Sequence, residues 1–247
     1  MEKNEYGIMY AIENDYWWYR GLQGLVEKYI RRHAENAETP PRILDAGCGT
    51  GRMMELAQHY GAVEGFDFSQ QALDFCAVRG LRCVSRQDMN EWSCPPQTYD
   101  IIYSLDVLCH RSIKNRQEVL HKFNSALKPG GMLIMNLPAF ELLRRNHDAA
   151  VHTQQRFTKR PFSRMLKEEG FEVTVATYRL PHFFVIMLTK KIFERLFPHG
   201  AELRSDLTPL PAWLNGLLLF LNKIENAMIF RGVSLPCGGS LFVVGKK

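Results

Sequence analysis

Residues 42–54, RILDAGCGTGRMM, place an acidic side chain, Asp45, just ahead of glycines at alternate positions, Gly47, Gly49 and Gly51. Glycines at a strand-to-helix turn let the backbone bend sharply and expose main-chain N–H groups that a Cβ would screen from a ligand. Ile43 and Leu44 supply the short buried strand, and a helix is expected to open near Arg52. A dinucleotide site of the GxGxxG type needs a third small residue at position 52, where Arg52 stands. Asp45 would repel a pyrophosphate and attract a cation. S-adenosylmethionine (SAM), with its ammonium and sulfonium, satisfies both observations.

Other groups fall where they could complete such a site. Asp67 in VEGFDFS lies twenty positions after Gly47, where a carboxylate can accept from both hydroxyls of a ribose. Asp88 in RQDMNEW can accept from an adenine amino group with Met89 beside the ring, although Asp at a strand end also caps helices. His110, just past the fourth expected strand, is the first candidate for a base, because imidazole takes up a proton near neutral pH. Its other reading is a capping or core histidine. His147, Asp148 and His152 form a second candidate group, since an Asp beside a His can orient the ring as a base. Their spacing matches no standard metal motif, and no metal is expected. The same stretch carries Arg144, Arg145, Arg156, Lys159 and Arg160 against Glu141 and Asp148, which suits either an anionic group on an acceptor or a solvated helix face.

Alternating elements must position these residues. Strands are expected at 62–67, 81–84, 100–104, 132–137, 171–178 and 240–244, with helices at 70–79, 117–127 and 159–169. This alternation predicts a parallel sheet covered by helices on both faces, with ligands at the carboxyl edge. The first forty residues read as a helical preface dense in aromatics, among them Tyr16, Trp17 and Trp18. They either pack against the domain or form a lid whose rings cover a ligand, and these three are candidate acceptor contacts. Apolar helical patterns at 183–197 and 213–230, separated by a loop with Pro198, Pro209 and Pro211, read as an inserted cap. The cap serves as core packing, as an acceptor pocket, or as a surface leaning on a membrane with Lys190, Lys191, Arg195, Lys223 and Arg231 near anionic headgroups.

Composition bounds the alternatives. At 247 residues, with 46% hydrophobic and 23% charged side chains, the chain suits one α/β domain: a lid over 1–40, a core over 41–178, a cap over 179–239 and a final strand over 240–247. A net charge of +5 is mild for a dedicated nucleic-acid binder. The six cysteines include no CxxC pair, so free thiols in a reducing cytosol are expected. MEKNEYGIMY lacks the secretory pattern, and no apolar run reaches the roughly 18 residues of a spanning helix. A cytoplasmic protein follows, with peripheral membrane contact through the cap as a further option.

The ordered set ILDAGCGTG, GFDFS, QDMNEW, YDIIYSLDVLCH and LKPGGMLIMNLP resembles the motifs of class I SAM-dependent methyltransferases over residues 42–138. DYWWYRG, NHDAAVHTQQRFT and LPCGGSLFVV also look like a type 11/12-like bacterial subgroup with an aromatic N-terminal segment. The resemblance implies a Rossmann-like α/β sheet of seven strands with the last antiparallel. It also implies cofactor contacts from Asp45, Gly47, Gly49, Asp67, Asp88, Met89, Ser104 and Leu105, with Cys48 and Phe68 inside the same motifs. The expected activity is methyl transfer from SAM to an oxygen or nitrogen of a small or lipid-linked acceptor, by in-line displacement with a His base, leaving S-adenosylhomocysteine (SAH). The expected acceptor has an apolar body and an anionic group. An inactive SAM-binding or interaction protein and an RNA-directed methyltransferase are the alternatives. Arg52 opposes a nicotinamide oxidoreductase, and SLDVLCH in place of an NPPY-type sequence opposes a DNA partner. Monomer and homodimer are both compatible with the sequence.

Overall fold

Successive side chains of a pleated strand point to opposite faces, so a strand buried on both sides feeds two cores. In β1 (Arg42–Ala46), Leu44 and Ala46 join one core and Ile43 the other. The same alternation runs through β4 (Tyr99–Leu105), β5 (Leu127–Pro138) and β7 (Ser240–Lys246): Leu241 and Val243 face one layer, Phe242 and Val244 the opposite one. With β2 (Ala62–Asp67), β3 (Val84–Arg86) and β6 (Glu172–Arg179) they form a seven-stranded sheet in the order β3-β2-β1-β4-β5-β7-β6. Strands β1 to β5 pair in parallel, and β7 runs antiparallel to both β5 and β6. The resemblance implied this arrangement. The computed structural model describes residues 3–144, 148–149, 151–196 and 210–247.

The described helices are α1 (Lys3–Ile12), α2 (Trp17–Glu35), α3 (Arg52–Ala57), α4 (Gln70–Val78), α5 (Arg116–Ala126), α6 (Lys159–Glu168), α7 (Pro181–Leu196) and α8 (Ala212–Phe230). Side-chain caps start two of them, Ser69 accepting from Ala72 N and Asn115 from Glu118 N, which satisfies backbone donors that have no partner within a helix. Helices α5 and α6 cover one face of the sheet through Phe123, Phe162 and Leu166. Leu25 and Ile30 of α2, Met54 of α3 and Ile229 of α8 cover the other.

Two expected strands shift by three residues or more. The third strand occupies 84–86 rather than 81–84, because Gly80 in a left-handed turn and the Leu81 N–H, bonded to Cys76 O at 3.0 Å, close α4 with those residues. Strand β5 begins at Leu127, five residues ahead of the expected 132, since Leu127 pairs with Tyr99 across a register shift. The cap patterns correspond to α7 and α8, while position 197, Pro198 and Pro209 lie outside the described residues.

Candidate functional site

A cavity of about 460 Å³ opens at the carboxyl ends of β1, β2 and β4. On its floor the chain leaves β1 through Gly47, φ +91°, where an added Cβ would stand 2.4 Å from Val107 Cγ2. The N–H groups of Gly47 and Cys48 both donate to Phe66 O at 2.9 Å, tying the turn to β2. Gly49, φ +53°, donates its N–H to Asp67 Oδ2 at 3.0 Å, and Ser69 N–H donates to Oδ1 at 2.9 Å. Each carboxylate oxygen of Asp67 thus accepts one backbone bond and keeps a lone pair for another donor. Burial pushes the Asp67 carboxyl up, against the lowering pull of the Ser69 and Gly49 amides. Asp45 is buried beneath the turn, and desolvation together with the Asp67 charge raises its carboxyl well above the ordinary range.

Cys48, Phe68, Asp88, Met89 and Leu105 line the same cavity. Asp88 is oriented by Asn90, whose backbone N–H and Nδ2 both donate to Oδ1 at 2.9 and 2.7 Å. Ser104 departs from expectation: it does not line the cavity, and its buried hydroxyl donates to Ala46 O at 2.8 Å, joining β4 to β1.

Beyond β4, Asp106 takes φ 59°, a left-handed conformation costly for a residue with a Cβ and held by its surroundings. Asn136 Nδ2 donates to both Asp106 oxygens at 3.0 and 2.9 Å. Burial pushes this carboxyl up to about 6, opposed by Asn136 and by the charges of Arg179 and Arg156. His110 follows on the same loop and lines the cavity. Burial drives its imidazole down to about 4, so at neutral pH the ring is uncharged and has a lone pair with which to take a proton.

Helix α1 and the start of α2 roof the cavity with Tyr6, Met9, Tyr16, Trp17, Trp18 and Tyr19. Buried Glu13 fastens this roof to the glycine turn, accepting from Thr50 Oγ1 at 2.5 Å and from Arg79 Nη2 at 2.7 Å, while Arg79 Nε donates to Thr50 O at 2.9 Å. Tyr19 keeps its proton, because burial and the charges of Glu13 and Asp106 raise its hydroxyl.

The second candidate group is not assembled as expected. His147 lies outside the described residues. Asp148 lines the cavity but forms a buried two-point ion pair with Arg156, Nε to Oδ1 at 2.9 Å and Nη2 to Oδ2 at 3.0 Å. Arg156 gives a third donor, Nη1, to Ala139 O at 2.8 Å, which commits its fork to the fold rather than to an anionic acceptor. His152 is not among the lining residues, and its Nε2 stands 3.5 Å from Arg111 Nη2. Arg144 also lies off the cavity, paired with both oxygens of Glu141 at 2.8 and 2.9 Å and bonded to the carbonyls of Thr153 and Gln154. Sequence reasoning passed over Glu13 and Asp106. Only Asp106 carried a signal of the kind already used, an acid directly after a strand, as Asp67 closes β2.

Residues 18–176 match the family described as a methyltransferase domain. The chain belongs to this family. It is 27% identical over 178 residues to phosphoethanolamine N-methyltransferase 3 of Arabidopsis thaliana, covering 68% of this chain and 36% of that protein. It is likewise 27% identical over 193 residues to trans-aconitate 2-methyltransferase of Mycobacterium sp. (strain KMS), covering 74% of this chain and 70% of that one. The chain therefore spans about a third of the length of the plant relative. Phosphoethanolamine N-methyltransferase 2 of Haemonchus contortus, solved in complex with SAM, shares the fold at a TM-score of 0.55 and 19% identity, over 90% of this chain and 52% of that chain. SAM is the methyl donor of this methyltransferase family, and the residues present suit it. Glycines stand where a Cβ would collide, an anchored Asp67 has acceptor capacity left, and buried carboxylates face a cavity that a cation would enter.

Proposed function

We propose that this chain transfers the methyl group of SAM to an oxygen or nitrogen of a small acceptor, with His110 as the base. The observation that carries this reading is one cavity holding both the glycine turn with its strand-end carboxylates and an uncharged His110. In this reading Asp67 holds the ribose, Asp88 and Met89 the adenine, and Asp45 and Asp106 the cationic methionine part, with Gly47, Cys48, Gly49, Phe68 and Leu105 shaping the walls. Bound SAM supplies an electrophilic methyl on a sulfonium. His110 takes the acceptor's proton, and Tyr16, Trp17 and Trp18 position the acceptor and keep water out.

The acceptor side has changed character from the sequence expectation. Arg144 and Arg156 are spent on Glu141 and Asp148, as Glu13 is on Arg79, whereas Asp106 lines the cavity with the neutral Asn136 amide bonded to both its oxygens. This charge balance favours an amine-bearing or uncharged acceptor over an anionic one. The relatives named for phosphoethanolamine and trans-aconitate are consistent with a small molecule.

Calorimetric titration with SAH, followed by turnover across amines and alcohols, tests the proposal. Asp67→Ala should weaken SAH binding, while His110→Gln should leave it unchanged and slow turnover by roughly 10²–10⁴-fold. Undiminished turnover in His110→Gln removes the base assignment, and a wild-type chain that binds no SAH removes the whole reading.

A further inference from the structure

Helix α8 is built inside out. Its buried side carries Asn222, Glu225 and Asn226 ahead of Ile229, and its solvent side carries Trp213, Leu217, Phe220, Leu221, Ile224 and Met228, with Trp213 71% and Phe220 59% exposed. These apolar residues recur at helical spacing and make a single stripe. The polar side chains turn inward because each has a backbone partner there. Asn222 Nδ2 donates to Trp17 O at 2.9 Å, Asn226 Nδ2 to Gly21 O at 2.7 Å, and both Glu225 oxygens accept from Leu180 N at 3.0 and 3.1 Å. A helix folding only against its own domain shows the opposite pattern, and a contiguous apolar face of this kind marks an interaction surface. Val185 and Ile186 on α7 are exposed as well, while Phe183 and Met187 of that helix line the first cavity.

Beside the stripe, α2, α3 and α8 line a second cavity of about 470 Å³. Five cationic side chains line it, Arg20, Lys28, Arg31, Arg52 and Lys223, against one carboxylate, Glu27, which already accepts from the Tyr60 hydroxyl at 2.8 Å. Arg52 pairs with Glu55 and Arg31 with Glu35, but Arg20, Lys28 and Lys223 make no side-chain bond or ion pair with the described residues. Lys223 and Leu219 belong to this cavity and Phe220 to the stripe, so the basic pocket and the apolar face share one helix.

We propose that this face rests on a lipid surface bearing anionic headgroups, the stripe of α8 in the acyl boundary and a headgroup phosphate in the basic cavity. Apolar stripe and flanking cations together are the signature of a helix lying in the plane of a membrane interface. A second copy of the chain would instead bring a second set of these cations into the same interface. No described helix is long and apolar enough to cross a membrane, so the contact is with the surface.

Co-sedimentation of the full chain with vesicles tests this. Vesicles of equal parts phosphatidylglycerol and phosphatidylcholine should bind the chain in a salt-sensitive way, and pure phosphatidylcholine should not. Leu217→Asp with Phe220→Asp, and separately Arg20→Glu with Lys223→Glu, should weaken binding by about tenfold or more, with thermal melting unchanged. Arg20→Gln with Lys223→Gln serves as a milder second pair should charge reversal disturb folding. Absent binding to the anionic vesicles, binding that ignores the charge variants, or a dimer in sedimentation velocity that either apolar substitution splits would overturn the proposal.

Discussion

Asp106 and His110 stand four positions apart on one loop, and burial moves them in opposite directions for the same reason: an interior disfavours charge, so the acid rises to about 6 and the imidazole falls to about 4. For both groups the unprotonated form is the working one in the proposed reaction, so activity is lost as pH falls through each folded-state value. Asp106 is reached first. The acid limb of kcat/KM is expected near pH 6 in the wild type, where Asp106 takes its proton, and in the residual activity of Asp106→Asn its midpoint should move, with Asp45 and Asp67, both raised by burial, and then His110, near 4, left to titrate. An unmoved midpoint in that variant would show that another group sets the limb. Asp67 was legible in the sequence as a cavity residue, because it closes a strand at a short distance along the chain from the glycine turn. Glu13 was not, since nothing local shows that a residue at the end of α1 will meet Thr50 and Arg79.

Among elements, the packing of α2 on α8 depends on a glycine. A Cβ at Gly21 would stand 2.2 Å from Asn222 Nδ2, whereas at Gly24 the nearest atom, Asn226 Nδ2, is 4.0 Å away. Either Gly→Ala change gains about 1 kcal/mol of helix propensity. At Gly21 overpacking of about 1–3 kcal/mol outweighs that gain and displaces the Asn222 bond to Trp17. Thermal melting should therefore fall for Gly21→Ala and rise for Gly24→Ala; equal shifts would contradict the tight crossing. Helix periodicity in the sequence located α2 and α8, but their contact joins residues about two hundred positions apart, which no local pattern encodes.

At the scale of the molecule, the sheet is a fixed platform and the aromatic preface is its roof. The roof is held by the Glu13, Thr50 and Arg79 bonds and by stacking of Tyr10 on Phe75 of α4, with ring centroids 4.6 Å apart. A ligand in the cavity adds contacts to Tyr6, Met9 and Tyr16 from below, so it should suppress local opening of α1. Hydrogen exchange with and without SAH should show slowing in α1 and the first turn of α2 that exceeds any change in α5, on the far side of the sheet. Uniform protection across the chain would argue against a roof that opens separately.

The sequence by itself determined the strand-and-helix alternation, the glycine turn and the strand-end acids, because these are written in residues close together along the chain. The family and its cofactor follow from them. Tertiary structure alone decided which distant charges meet. Arg156 is neutralised by Asp148 and Arg144 by Glu141, so two cations that read as an anion site are spent on their own loop. The same holds for α8, whose composition reads as an apolar helix in either orientation. Backbone carbonyls at Trp17 and Gly21 and the Leu180 N–H draw its polar residues inward, and its apolar stripe is left facing outward.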